Sequence, residues 1–311
     1  MMNISYIKKN FNNVFKKNIF LIILLSIASN VFPQEFIQFA NDLYKERDYF
    51  RAITEYKRSR FFSKDIDLNW ICSVRIAESY WLSQKYESSL EYLFSIKDIN
   101  DVRKKEWLLT TIALNYYGMK LFPNAKMYFN EAIEKNDLLS PMPYLYRSLL
   151  NMEGDNFNDA RSDLLSIKNE RWTYNSDQIE QTIDFASNTL QNIQSLPKKS
   201  PVLAASLSTL IPGLGQMYSG HWFDAIQAFT MIGSFALASY GVYLYEKANN
   251  GSYIYTGVLG AITLSFHLSN IYGAYKTAGF YNQKQKEDAL QPLRNKIFSL
   301  PTLGETYYPL Q

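Results

Sequence analysis

The sequence predicts an all-α protein in two parts, a stack of helix pairs followed by a membrane-embedded helical hairpin. Three observations carry the prediction. Residues 36–167 repeat a pattern of small and aromatic residues at intervals of 37, 36 and 35 residues. Two later stretches, Ala225–Tyr245 and Ile254–Tyr275, run 21 and 22 residues without a formal charge. The net charge of +3 resolves into +4 over residues 1–33, −4 over 34–196 and +3 over 197–311. These boundaries mark an N-terminal address, a soluble repeat domain and a membrane segment.

Composition removes several classes of protein. With 13 Gly, 10 Pro and one Cys in 311 residues, the chain is neither collagen-like, nor low-complexity, nor a disulfide scaffold. A hydrophobic share of 47% excludes a disordered chain, and +3 lacks the concentrated positive surface of a nucleic-acid binder. Two His and one Cys cannot complete a four-ligand zinc site without several carboxylates. No nucleophile elbow, HExxH, Walker loop or dinucleotide fingerprint occurs. No catalytic residue, metal, cofactor or small-molecule substrate is therefore predicted, and the chain reads as no enzyme.

Residues 1–33 read as a signal peptide, with an uncleaved N-terminal anchor as the alternative. Lys8, Lys9, Lys16 and Lys17 precede the apolar run Ile19–Ala28, which is short for a spanning helix and followed by a polar break. Cleavage would fall near Gln34, although no clean small-x-small site marks it.

Residues 34–196 hold the repeats. Tyr49, Tyr86, Phe122 and Phe157 mark equivalent positions in four units. Ahead of them stand Ala40, Ala77, Ala113 and Ser148, and behind them Ala52, Ser89, Ala125 and Ala160. Small residues at these places let two helices approach, with larger residues filling the groove between them. The polar turns KERD, SQK and EGDN separate the helices. A single pair cannot bury its own apolar face, so the units must stack. Asn175-Ser176-Asp177 then cap a helix in which Ile179, Ile183, Ala186, Leu190 and Ile193 form one apolar stripe, and 195–201 reads as a linker.

The spacing of these residues resembles the tetratricopeptide repeat, over about 135 residues. Each unit departs from the consensus, with Ala or Ser for its Gly and no closing Pro. The resemblance implies an α-solenoid whose first helices line a concave groove for a protein or peptide partner. In this register the groove carries Asn41, Tyr44, Glu78, Trp81, Trp107 and Tyr117, together with Val74, Leu114, Leu145 and Leu149. Tyr44, Trp81 and Tyr117 hold one position in three successive units. Such a row anchors a peptide or packs against neighbouring helices, and both readings are open.

Residues 197–280 form the membrane domain, with spans at about 225–245 and 254–275 joined by EKANNGSY. Small residues four apart (Ser234/Ala238, Gly257/Ala261, Ala261/Ser265) predict where the spans pack, and tyrosines crowd the hairpin tip. A short interfacial or re-entrant helix precedes them. After it come Pro212, Gly213, Gly215, Gln216, Tyr218 and Gly220, which demand a sharp backbone turn. These residues resemble a bacterial small membrane domain with a P-G-x-G-Q-x-Y-x-G signature ahead of a transmembrane hairpin. That resemblance implies a topology and no reaction. His267 and Asn270 are the intramembrane polar pair, expected to face Gln227 or Ser234. Residues 281–311 read as a polar helix and an extended tail.

Lysines flank the hairpin on both sides, which by the positive-inside rule places both flanks in the cytoplasm. A signal peptide places the repeats outside. Long domains translocate largely regardless of charge, so the expectation is an inner-membrane protein with periplasmic repeats. The expected function is a non-enzymatic scaffold that binds a protein or peptide and touches lipid through its hairpin. The alternative is an accessory to transport or membrane-protein insertion in which the hairpin does the work.

Overall fold

The structure, a computed structural model, describes residues 35–97, 99–135 and 138–310, and these are helical with no strands. The predicted N-terminal address lies outside the described residues. Two compact units divide the chain: residues 1–184 with 296–311, and residues 185–295. The C-terminal tail therefore belongs with the repeats.

In the first unit the helices are α1 (35–45), α2 (Tyr49–Phe62), α3 (Ile66–Leu82), α4 (Tyr86–Phe94), α5 (Val102–Gly118), α6 (Phe122–Glu134), α7 (Met142–Glu153) and α8 (Phe157–Asn169). From α2 to α8 each helix packs on the next in sequence. The four register residues Tyr49, Tyr86, Phe122 and Phe157 each begin the second helix of a pair. All eight small residues predicted at the crossings are fully buried. Aspartates start several helices: Asp48, Asp65 and Asp101 accept hydrogen bonds from backbone amides of the first turn.

The turn inside each pair has one geometry, repeated four times. Arg47, Gln84, Lys120 and Asp155 sit two residues before the register positions, each left-handed with φ between 61° and 64°. Each donates its amide three residues back, and the following residue donates five residues back, as in Arg47 N to Tyr44 O and Asp48 N to Leu43 O. This is the Schellman closure, which ordinarily uses Gly because a Cβ is disfavoured there. Here four non-glycine residues carry it, so the turn is imposed by packing of the pairs.

The tail corrects the sequence reading. Residues 281–298 are no separate helix, because α13 runs unbroken from Ile254 to Phe298. The segment expected to be extended contains α14 (Leu303–Tyr307), closed by a capping box. Thr302 Oγ1 accepts from the Glu305 amide at 3.0 Å, and Glu305 Oε2 accepts from the Thr302 amide at 2.8 Å.

The second unit takes in the end of α9 (Asp177–Ser195), α10 (Pro201–Leu210), α11 (Leu214–Tyr218), α12 (Trp222–Ala248) and most of α13. The apolar stripe predicted on α9 is buried at all five positions. Helices α12 and α13 are long and apolar enough to cross a membrane. Only 11% and 6% of their most apolar windows is buried, unlike the core helices of a soluble fold. Glu246 near the end of α12 accepts from the Tyr255 and Thr256 amides at 3.2 Å, capping the start of α13. The predicted small-residue faces are a correction: Ser234, Ala238, Gly257, Ala261 and Ser265 are exposed. The helices instead meet through Phe235 and Phe266, whose rings lie 5.2 Å apart, and where Gly260 faces Ser239.

Lys120→Gly should relieve the left-handed strain of one turn and stabilise the repeat unit by about 0.5–1 kcal/mol. The check is the urea midpoint followed by tryptophan emission. An unchanged or lowered midpoint would remove the strain account.

Candidate functional site

Four of the predicted groove residues, Tyr44, Glu78, Trp81 and Tyr117, lie along first helices of successive pairs, and the first unit brings them to a common occupant. That occupant is the chain's own C-terminal tail. The Phe298 ring lies 6.1 Å from Trp81, 5.7 Å from Tyr117 and 5.9 Å from Tyr146. Leu303, Gly304 and Tyr307 are buried, and Leu310 packs on the cluster that includes Ala40, Leu43 and Tyr44. The aromatic row is thus no open anchor: it meets the tail and also the next pair, since Tyr117 donates to Glu153 Oε1 at 2.6 Å and the Tyr44 ring lies against Arg75.

Polar contacts fix the tail further. Arg75 and Glu78, one turn apart on α3, form an ion pair at 2.8 Å with side-chain exposures of 0% and 3%. Removing two charges from water is unfavourable unless their remaining hydrogen-bonding positions are filled. The tail backbone fills two of them, while Arg75 Nε has no partner among the described residues. Gly304 N donates to Glu78 Oε1 at 3.0 Å, where Trp107 Nε1 also approaches at 3.4 Å. Arg75 Nη2 donates to the Tyr308 carbonyl. A Cβ on residue 304 would overlap the Glu78 carboxylate, so only Gly allows this approach. One pair further on, Tyr307 donates its hydroxyl to Glu106 Oε2.

Tyr44 serves this arrangement through its ring, which lies 5.3 Å from the Arg75 guanidinium. Asn41 does not face the tail in this way; it accepts from the Tyr56 hydroxyl at 2.8 Å within its own pair. Trp107 is fully buried, edge-on to Trp70 at 5.4 Å. The sequence reading missed Arg75, Glu106 and Tyr146 on the repeats. Charges at apolar positions, Arg75 beside Ile76 and Glu106 beside Trp107, were the available signal. In the tail the T-x-x-E pattern at 302–305 was another.

Burial raises the carboxyl of Glu78 above the ordinary range, with Arg75 opposing the effect. Burial likewise lifts Glu106 to about 8, partly offset by the hydrogen bond from Tyr307. Glu106 Oε1 has no partner among the described residues, so its ionised form is poorly supported. Burial also raises Tyr307.

The second predicted constellation assembles in the second unit. Pro212 opens the turn between α10 and α11, and Gly213 is left-handed at φ 87°. At Gly215 a Cβ would strike the Ala204 carbonyl and the Ala274 side chain, which fixes how closely α11 approaches α10 and α13. Gln216 is buried at the centre. It donates to the Asn270 side-chain oxygen at 2.8 Å and carbonyl at 3.1 Å, and accepts from Ser208 Oγ at 3.0 Å. Asn270 was expected to face Gln227 or Ser234; its partner is the motif glutamine, while Ser234 bonds its own helix at Thr230 O. His267 Nδ1 has no partner among the described residues. Tyr218 accepts from the Ser200 amide at 3.1 Å, and Lys199 lies 4.7 Å from its ring. Gly220, at φ 84°, ends α11.

Among the described residues no three His, Cys, Asp or Glu side chains gather where a metal could sit. What these groups can do is hold a peptide backbone and lock a membrane turn.

Two outcomes follow. Because Glu106, buried beside Tyr307, binds its proton more tightly than an exposed carboxyl, its contribution to docking is fully present below about pH 4.5 and is lost as pH rises through about 8. Exchange of the Gly304 amide, corrected for the intrinsic rate, should rise by up to about tenfold per pH unit between pH 6 and 8. A flat profile would refute the assignment. In the membrane unit, Gln216→Leu and Asn270→Leu should each destabilise the chain in detergent by about 1 kcal/mol, and the double variant by less than their sum. Additive effects on thermal unfolding would show that the amides do not act as a pair.

The chain matches no protein family, no curated protein and no solved structure with which it was compared.

Proposed function

We propose that this chain is a non-enzymatic, membrane-anchored adaptor of the bacterial envelope whose tetratricopeptide-like repeats bind a protein or peptide segment. One observation carries the reading: the groove along the first helices holds a peptide, residues 298–310, through an aromatic socket and two charged groups aimed at its backbone. Reading backbone amides and carbonyls beside a few side-chain sockets is a general mode of peptide recognition. The two long apolar helices supply the anchor, and the repeats are assigned to the periplasmic side of the inner membrane.

A second reading makes the hairpin the working part, as an accessory to transport or membrane-protein insertion. It is favoured by the buried Gln216–Asn270 network, in which the Asn270 Nδ2 remains without a partner among the described residues.

A photo-crosslinking residue at position 117, used in living cells, separates the two readings. The adaptor reading expects crosslinks to a second protein that fall at least fivefold when Tyr44 and Trp81 are changed to Ala. Crosslinks confined to the chain itself, with function lost on Gln216→Leu and kept on the groove changes, would transfer the function to the hairpin.

A further inference from the structure

The tail is gripped at three points, each by different chemistry. Phe298 enters a ring socket of Trp81, Tyr117 and Tyr146. Six residues on, Gly304 presents an amide to Glu78 so closely that a Cβ there would have to displace the Glu78 carboxylate. Glu78 cannot retreat, because Arg75 holds its other oxygen at 2.8 Å. Three residues further, the Tyr307 hydroxyl meets Glu106, and the next carbonyl meets Arg75. Between the first two points, the Thr302–Glu305 capping box preforms the turn that brings Gly304 and Tyr307 to one side.

A segment that only closed off an apolar surface would need burial alone. This one is read at a ring, at a missing side chain and at a hydroxyl, and those are determinants of specificity. We propose that the groove is a sequence reader for an aromatic residue, a glycine six positions on and a tyrosine three further, that the tail occupies it in cis, and that a partner segment of the same chemistry enters only by displacing the tail. The inference rests on the adaptor reading and names the partner's chemistry.

The construction of the tail suits displacement. Regular helix ends at Phe298, and Ser299–Pro301 form a short non-helical link ahead of α14. Rotation in that link releases residues 302–310 without unwinding α13, while Phe298, the last residue of α13, leaves its socket only when the end of that helix moves with it. Because the tail is tethered, its effective concentration at the groove is on the order of millimolar, so a free competitor is strongly disfavoured while the tail is intact.

The test uses the full chain in detergent and a fluorescent peptide of sequence 296–311. Gly304→Leu in the chain drives a side chain into Glu78 and ejects the tail while keeping every other residue. The variant should bind the peptide at least about tenfold more tightly than the parent chain, by anisotropy. On that variant, peptides carrying Gly304→Leu or Tyr307→Phe should bind at least about fivefold more weakly than the parent peptide. Equal binding by the two chains, or by the three peptides, overturns the proposal. So does a complex between parent and variant chains formed without peptide, which would make the occupant a second copy.

If Gly304→Leu fails to fold, a protease site replacing residues 299–301 serves instead. After cleavage of the folded chain the released segment 302–311 should exchange with a fluorescent peptide of the same residues, and no exchange overturns the proposal. Failure here is distinct from failure of the adaptor reading. A second protein crosslinked from position 117 with no peptide uptake sinks only the reader; peptide uptake with self-crosslinks alone sinks only the adaptor.

Discussion

Two opposite charges, Arg75 and Glu78, are held out of water one turn apart on a single helix, and the C-terminal half of the groove's story follows from what they still need. Their mutual contact uses one guanidinium nitrogen and one carboxylate oxygen. Left there, the remaining groups would be desolvated without compensation, a cost that ordinarily exceeds the attraction between the charges. The Gly304 amide and the Tyr308 carbonyl supply part of what is missing, the Trp107 indole adds a longer contact, and Arg75 Nε stays without a partner among the described residues. With the tail absent, the pair would face water and lose little. The pair therefore contributes less to the stability of the repeats than to the choice of what may lie on them. Phe298 and Leu303 bring the apolar burial, while Arg75, Glu78 and Glu106 set the register along the groove.

That groove exists because the pairs repeat. Fully buried Ala or Ser at each crossing permits close approach, and a left-handed residue turns the chain at the same place four times. The first was legible from the Ala and Ser spacing; of the second, the place of the turn was legible from the register of Tyr49, Tyr86, Phe122 and Phe157, and its left-handed geometry was not. Glu78, Trp81 and Tyr117, which the repeat resemblance would set on the groove face, meet the tail. The occupant of that face was not legible. Gly304 and Glu78 lie 226 positions apart, and no periodicity connects them. The five residues of α14 are too few for a hydrophobic period to register, although Thr302 and Glu305 carry a local helix signal that length and composition outweigh.

The membrane unit shows the same division between local and distant information. Pro212 to Gly220 reads as a sharp turn from its glycines; the chain turns there twice, at the left-handed Gly213 and Gly220 on either side of α11. What the turn presents, a glutamine between Ser208 and Asn270, depends on residues 8 and 54 positions away. The expectation that small residues mark the helix contact failed for a physical reason. Phe235 and Phe266 fill part of the space between the helices, and the small residues that do meet, Gly260 and Ser239, stand on a different face from the exposed Ser234, Ala238, Gly257, Ala261 and Ser265.

The two units impose a common condition on topology. A tail seated among the repeats must emerge on the side of the membrane where the repeats lie. If α12 and α13 both cross, the chain departs and returns to one side, and the condition is met; with a single crossing it is broken. The docked tail therefore favours an even number of spans between Ser195 and Lys296, independently of hydropathy. It also turns the conflict between the flanking lysines and the export signal into one question. If both helices cross, repeats, linker and tail share a side, and the lysines at 198, 199, 276, 284 and 286 then lie together with the repeats, against the positive-inside tendency if the repeats are exported and in agreement with it if they are not. Locating the tail locates every soluble part of the chain described here.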